Sequence, residues 1–166
     1  MWIALLASLV VAAPPAKEAP AKEEADRDLK ILARGVWPVR HEQPAQLIVR
    51  NGEELARAHG VNRKDARDKR LQIAAMEDVA QLLKVKGIDW DKQMLVVIAA
   101  GAQPTGGYSI EFLSLAARDR KLTVNWRLNR PAAGAVVTQA VTYPAQMALV
   151  ERFEGPVTFD PEAKEK

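Results

Sequence analysis

Any serine–histidine chemistry in this chain would rest on two histidines, His41 and His59, and three serines, Ser8, Ser109 and Ser114. A nucleophilic serine needs a base within hydrogen-bond reach and a sharp turn that presents its hydroxyl. Neither Ser109 nor Ser114 lies in a G-x-S-x-G sequence. The histidines lack the H-E-x-x-H spacing that sets two imidazoles on one helix face, so they read as surface residues and no metal site is expected. Asp89 and Asp91 in IDWDK resemble the first two ligands of a calcium loop, but Met94 and Leu95 stand where further oxygen ligands would follow. Asp89 is instead expected to turn the chain while Ile88 and Trp90 pack. The absence of cysteine removes disulfides, thiolate nucleophiles and thiolate metal sites.

The stretch GAQPTGGYSIEF, from Gly101 to Phe112, has the most distinctive spacing in the chain. Gly101 and Gly106 match the glycines of a phosphate-binding loop. Gly107 and Tyr108, however, occupy the places of the lysine that would reach phosphate and the hydroxyl that would hold magnesium. A strand pattern follows, so no helix N-terminus faces an anion. A G-x-G-x-x-G dinucleotide fingerprint is also missing. What remains is a tight hairpin turn in which Pro104 fixes φ, Gly106 and Gly107 take positive φ, and Thr105 bonds locally. Such a loop suits protein binding, which makes Gln103, Pro104, Thr105, Gly106, Gly107 and Tyr108 the candidate partner-binding residues. No catalytic residue and no cofactor is expected.

The elements that must hold this loop are legible as patterns. LKILARGVWPV and QLIVRN read as short strands. NGEELARAHG, with an asparagine start, early acidic residues and a closing glycine, reads as a short helix. Val61–Arg70 is a charged stretch read as a solvated loop or helix face. From Ala75, the residues Met76, Val79, Ala80 and Leu83 repeat at helical spacing up to Gly87. The run Met94–Ala100 is wholly apolar, as expected of a strand covered on both faces. YSIEF, KLTVNWRLN and VTQAVTY alternate as strands, and QMALVERF and PVTF supply two more. The expected class is α+β, with a β-rich antiparallel sheet, sandwich-like, in the C-terminal half and one or two helices packed on it from the N-terminal half.

The chain has 166 residues with 48% hydrophobic and 27% charged, enough for one buried core. Residues 29–160 are expected to form a single globular domain and 161–166 a flexible tail. The net charge of +3 arises from 24 basic residues interleaved with 21 acidic ones, so no concentrated field points to nucleic acid. Residues 1–13 form an apolar, signal-like segment, shorter than the roughly 20 residues that span a bilayer. Residues 14–28, rich in proline, alanine and charge, read as a disordered tether. Together they suggest a periplasmic or secreted protein with no stable membrane span after processing.

The segment IDWDKQMLVVIAAGAQPTGGYSIEF, followed by KLTVNWRLNRPAAGAVVTQAVTYPAQMALVERFEGPVTF, resembles the C-terminal domain of the PrcB family of protease-complex proteins. An Asp-aromatic pair before a hydrophobic strand, the P-T-G-G-Y-S-I motif and the V-T-Q-x-V-T-x-P motif carry it, and LIVRNGEELA extends it upstream. The resemblance implies an exported bacterial accessory domain, associated with a secreted protease and its stability, and no catalysis. The loop also has a weaker likeness to the N-P-T-T-G-[YF] loop of chagasin-type cysteine-protease inhibitors, which insert it into an enzyme cleft. A structural envelope domain, in which the glycines merely allow strands to pair, is the remaining alternative.

Overall fold

The computed structural model describes residues 26–162; the signal-like segment and residues 14–25 of the expected tether lie outside the described residues. Eight strands and two helices follow in the order β1 Arg27–Asp28, β2 Ile31–Val36, β3 Pro44–Val49, α1 Gly52–Ala58, α2 Lys69–Leu83, β4 Gln93–Ala100, β5 Ser109–Arg118, β6 Lys121–Asn129, β7 Ala145–Glu151 and β8 Val157–Pro161. They build three layers. One sheet has the order β1-β5-β6-β8, the second has β2-β7-β4-β3, and the helices lie on the outer face of the second. The class is therefore α+β with β-rich sheets, as the patterns indicate.

Strand β4 explains the layering. Its even-numbered residues Met94, Val96, Ile98 and Ala100 join the core against the first sheet, with Ile110, Phe112, Leu115, Leu122 and Val124. Its odd-numbered residues Leu95, Val97 and Ala99 join the core under the helices, with Leu55, Val79 and Leu83. Period-two geometry sends neighbours to opposite faces, so a wholly apolar strand must be roofed twice. β7, paired with β4 from Gln93↔Glu151 to Ala99↔Ala145, repeats the division: Ala148 and Val150 face one core, Met147 and Leu149 the other.

The helices start where side chains stand in for missing backbone partners. Asn51 accepts the Glu54 backbone N–H at 2.9 Å, and Asp68 accepts that of Arg70 at 2.8 Å. That aspartate starts α2 at Lys69, six residues before the apolar periodicity begins. Part of the charged stretch is thus helix, after a single 3-10 turn at Asp65–Arg67 that buries Ala66.

Four readings need correction. Arg27 and Asp28, assigned to the tether, pair with Ala117 and Ala116 of β5. VTQAVTY is not a sheet strand: only Thr142 forms a bridge, to Gln103. Its backbone groups are instead engaged by the loop 101–108, through Gln103 with Thr142 and Gly106 N–H with Thr138 O. β5 runs on past Phe112 to Arg118 because a register shift between Phe112 and Ser114 moves the inward face from even to odd positions, which hides the strand from a strict alternation test. β8 lies parallel to β6, since residues 152–156 cross between the sheets with Phe153 buried in the sandwich core.

Leu95→Ala is expected to lower unfolding free energy by about 2–5 kcal/mol, because Leu95 is fully buried in the centre of β4. Leu82→Ala, at a 43% exposed site on α2, is expected to lower it by well under half as much in the same urea titration.

Candidate functional site

Three loops meet at the end of the sandwich where β2, β4 and β6 finish and β3, β5 and β7 begin: 37–43, 101–108 and 130–144. The loop 101–108 is not a hairpin. β4 and β5 belong to different sheets, so this segment carries the chain across the sandwich. Gly101 begins the crossing with φ 74°, and a methyl group there would stand 2.9 Å from the Pro44 nitrogen. Gly107 has φ 84°, whereas Gly106 is not among the positive-φ residues, contrary to the expectation for both glycines.

The loop is lashed down along its length. Gln103 and Thr142 exchange backbone hydrogen bonds of 2.8 and 2.9 Å, the Gly106 N–H donates to Thr138 O at 2.9 Å, and the Thr142 hydroxyl donates to Thr105 O at 2.7 Å. The Gln103 side chain donates to Ala100 O at 3.1 Å, closing the end of β4. Among the sequence-predicted residues, then, Gln103, Thr105 and Gly106 are half-buried and shape the loop. Tyr108 is half-buried beside them, and Pro104 and Gly107 are exposed. The projecting arch implied by a hairpin is absent from this end.

What does face solvent is the neighbouring loop, 130–144. Val136 is fully exposed and Val141 is 57% exposed, and the segment Pro131–Pro144 has no charged residue although 27% of the chain is charged. The third loop braces it: the Arg40 guanidinium lies 3.8 Å from the Tyr143 ring centre and donates to the Tyr143 hydroxyl, and Ala102 N–H donates to Glu42 O at 3.1 Å. Val136, Val141, Arg40 and Tyr143 were missed by reading motifs. The charge-free run was the available signal.

Neither histidine meets a serine. Both instead touch Trp37, whose indole N–H donates to His41 Nε2 at 3.2 Å and whose ring meets His59 edge-on at 5.1 Å. His59 Nε2 is buried without a hydrogen-bond partner, and burial holds this imidazole below its ordinary range against a smaller upward pull from Asp78. Ser114 accepts from Asn125 Nδ2 at 2.8 Å on β5, in the other sheet. Asp89 takes the turn expected of it, accepting the Asp91 N–H at 3.1 Å, while Ile88 is buried and Trp90 half-buried. The carboxyls of Glu111 and Glu154 sit below their usual range because Arg127 and Arg152 respectively donate to them. These are ion pairs on open surface. Among the described residues no group of three or more His, Asp or Glu side chains converges as metal ligands would, and no helix is long and apolar enough to cross a membrane.

Residues 94–151 match the family model described as PrcB C-terminal. The PrcB-like span runs from β4 to β7 and so contains both members of the lashed pair: the P-T-G-G-Y and V-T-Q-x-V-T motifs behind the resemblance are two sides of one contact. The upstream part of the resemblance, from residue 46 through α1 and α2, lies outside the matched span. No curated protein and no solved structure matches the chain.

Gly107→Ala is expected to cost about 1 kcal/mol or more in urea unfolding, through its positive φ and a methyl group 3.0 Å from both Pro131 Cβ and Val137 Cγ1. Gly106→Ala should cost clearly less, since only Thr138 Cβ, at 3.3 Å, must give way. His59 supplies a pH dependence. The unfolded chain protonates it near the ordinary value of 6.5 while the folded chain holds it lower, so stability falls as pH drops below that value. His59→Phe, which keeps an aromatic ring against Trp37, is expected to flatten the slope of unfolding free energy between about pH 5 and 7.

Proposed function

We propose that the chain is a non-catalytic, exported accessory domain that binds a protease, and that its docking surface is the looped end built from residues 101–108 and 130–144. The carrying observation is that fully exposed Val136 and largely exposed Val141 sit on the charge-free stretch 131–144, which is nonetheless held in place by hydrogen bonds to its neighbour. Apolar side chains presented on an ordered loop lose little conformational freedom on binding, which favours partner capture over accidental exposure. In this reading Gln103 and Thr105 set the shape, and Pro104, Gly107 and Tyr108 edge the contact. Export rests on the signal-like residues 1–13, and a protease as the partner on the likeness to the PrcB family. A chagasin-like wedge is disfavoured, since the loop 101–108 lies hydrogen-bonded along its neighbour and does not project for insertion into a cleft.

Capture from the host's secreted fraction, with mass spectrometry of what is retained, is the test. The wild-type chain is expected to retain a protease that the Val136→Asp, Val141→Asp double variant loses at unchanged unfolding free energy. Equal retention by both would move the docking surface away from these valines, and retention by neither would leave a structural envelope role. Added to the retained protease, the chain should slow its autolysis; loss of protease activity would mark an inhibitor instead.

A further inference from the structure

A second surface lies at the opposite end of the second sheet, where β3 passes into α1 and the chain returns from α2 to β4. There α1, α2 and the turn before β4 enclose an open cleft of about 520 Å³. Its apolar lining is Ile73, Met76 and Trp90, and Ile73 is 50% exposed. Its polar walls include Arg57 on α1 with Lys69 and Gln72 on α2. The walls are held in place: Asn51 caps α1, and the Gln72 side chain donates to Ala66 O at 2.8 Å. Trp90 is fixed from behind, its carbonyl accepting from Arg152, which also donates to Arg50 O at 3.0 Å.

The unpaired charge lining the cleft is positive. Glu53, its only acidic lining residue, is drawn to Arg67 at 3.8 Å. Among the described residues Arg57 and Lys69 have no carboxylate partner; their side chains reach only Glu53 O and Gln72 Oε1, each at 3.4 Å. In the sequence between them, Arg63, Lys64 and Arg67 outnumber Asp65 and Asp68. An apolar floor between cations on two walls complements a ligand that is apolar in the middle and acidic on either side. The half-exposed floor and the open mouth suit an extended chain better than an enclosed small molecule.

We propose that this cleft binds an extended peptide segment of a partner protein in which an apolar side chain lies between acidic ones. Leucine or phenylalanine would rest on Ile73, Met76 and Trp90, and the flanking carboxylates would meet Arg57 and Lys69. This site is separate from the looped end and stands whether or not that end docks a protease.

The test is titration of the full chain with a short blocked peptide alternating glutamate and leucine, followed by NMR of the Ile73 and Met76 methyl groups and the Trp90 indole N–H. Saturable shifts confined to these groups are expected. They should be weakened about tenfold or more by Ile73→Glu and by Lys69→Glu, and reduced by added salt. Both substitutions are at exposed positions, and circular dichroism checks that each variant is folded. Equal shifts from the lysine–leucine counterpart, shifts elsewhere on the chain, no shifts at millimolar acidic peptide, or variants that bind as well as wild type would each overturn the proposal.

Discussion

An apolar strand with no polar face cannot lie on a protein surface, and the run Met94–Ala100 is such a strand. Exposing either side would leave two or three large apolar side chains in water, at about 1.5–3 kcal/mol each. β4 therefore draws a layer onto both of its faces: the β1-β5-β6-β8 sheet over Met94, Val96 and Ile98, and the helices over Leu95 and Val97. β7 shares the arrangement, and between them these two strands tie both cores to one sheet. The first sheet needs only one good face, which is why β6 alternates between Leu122 and Val124 inside and Thr123 and Asn125 outside.

That constraint also produces the loops. Because β4 and β5 lie in different sheets, the chain must cross the sandwich after Ala100, and the crossing needs glycine where the backbone turns with positive φ at residues 101 and 107. The crossing segment exposes backbone groups that no strand satisfies. Residues 138–142 satisfy them, so a stretch that lies outside both sheets finds its hydrogen bonds at the rim. Two stretches without charge, 101–108 and 131–144, consequently stand together at one end. At the other end Arg57 and Lys69 line one cleft with Ile73 and Trp90. The molecule thus has two chemically unlike poles.

Much of the architecture was legible. The apolar run of β4, the caps at Asn51 and the spacing of Met76, Val79 and Leu83 are local properties that survive any choice of neighbours. Reading failed where a neighbour decides. VTQAVTY alternates as a strand should, yet its backbone bonds to the loop 101–108 and joins neither sheet. The strand after Phe112 was lost to a bulge, and α2 began earlier than its apolar residues because Asp68 could cap it. At the rim the glycine-rich motif was correctly singled out, but Gln103 and Thr105 hold the loop, and the exposed surface passes to Val136 and Val141.

From the sequence alone came the class of the fold, the double burial of β4 and the family likeness, because periodicity, caps and motifs are written in neighbouring residues. Only the tertiary structure decided that β8 runs parallel to β6, that the Gly-Gly loop crosses between sheets, and that both histidines meet at Trp37. Each of these depends on which distant segments compete for the same hydrogen-bonding edge or the same patch of apolar surface, and that competition is settled only when the whole chain packs.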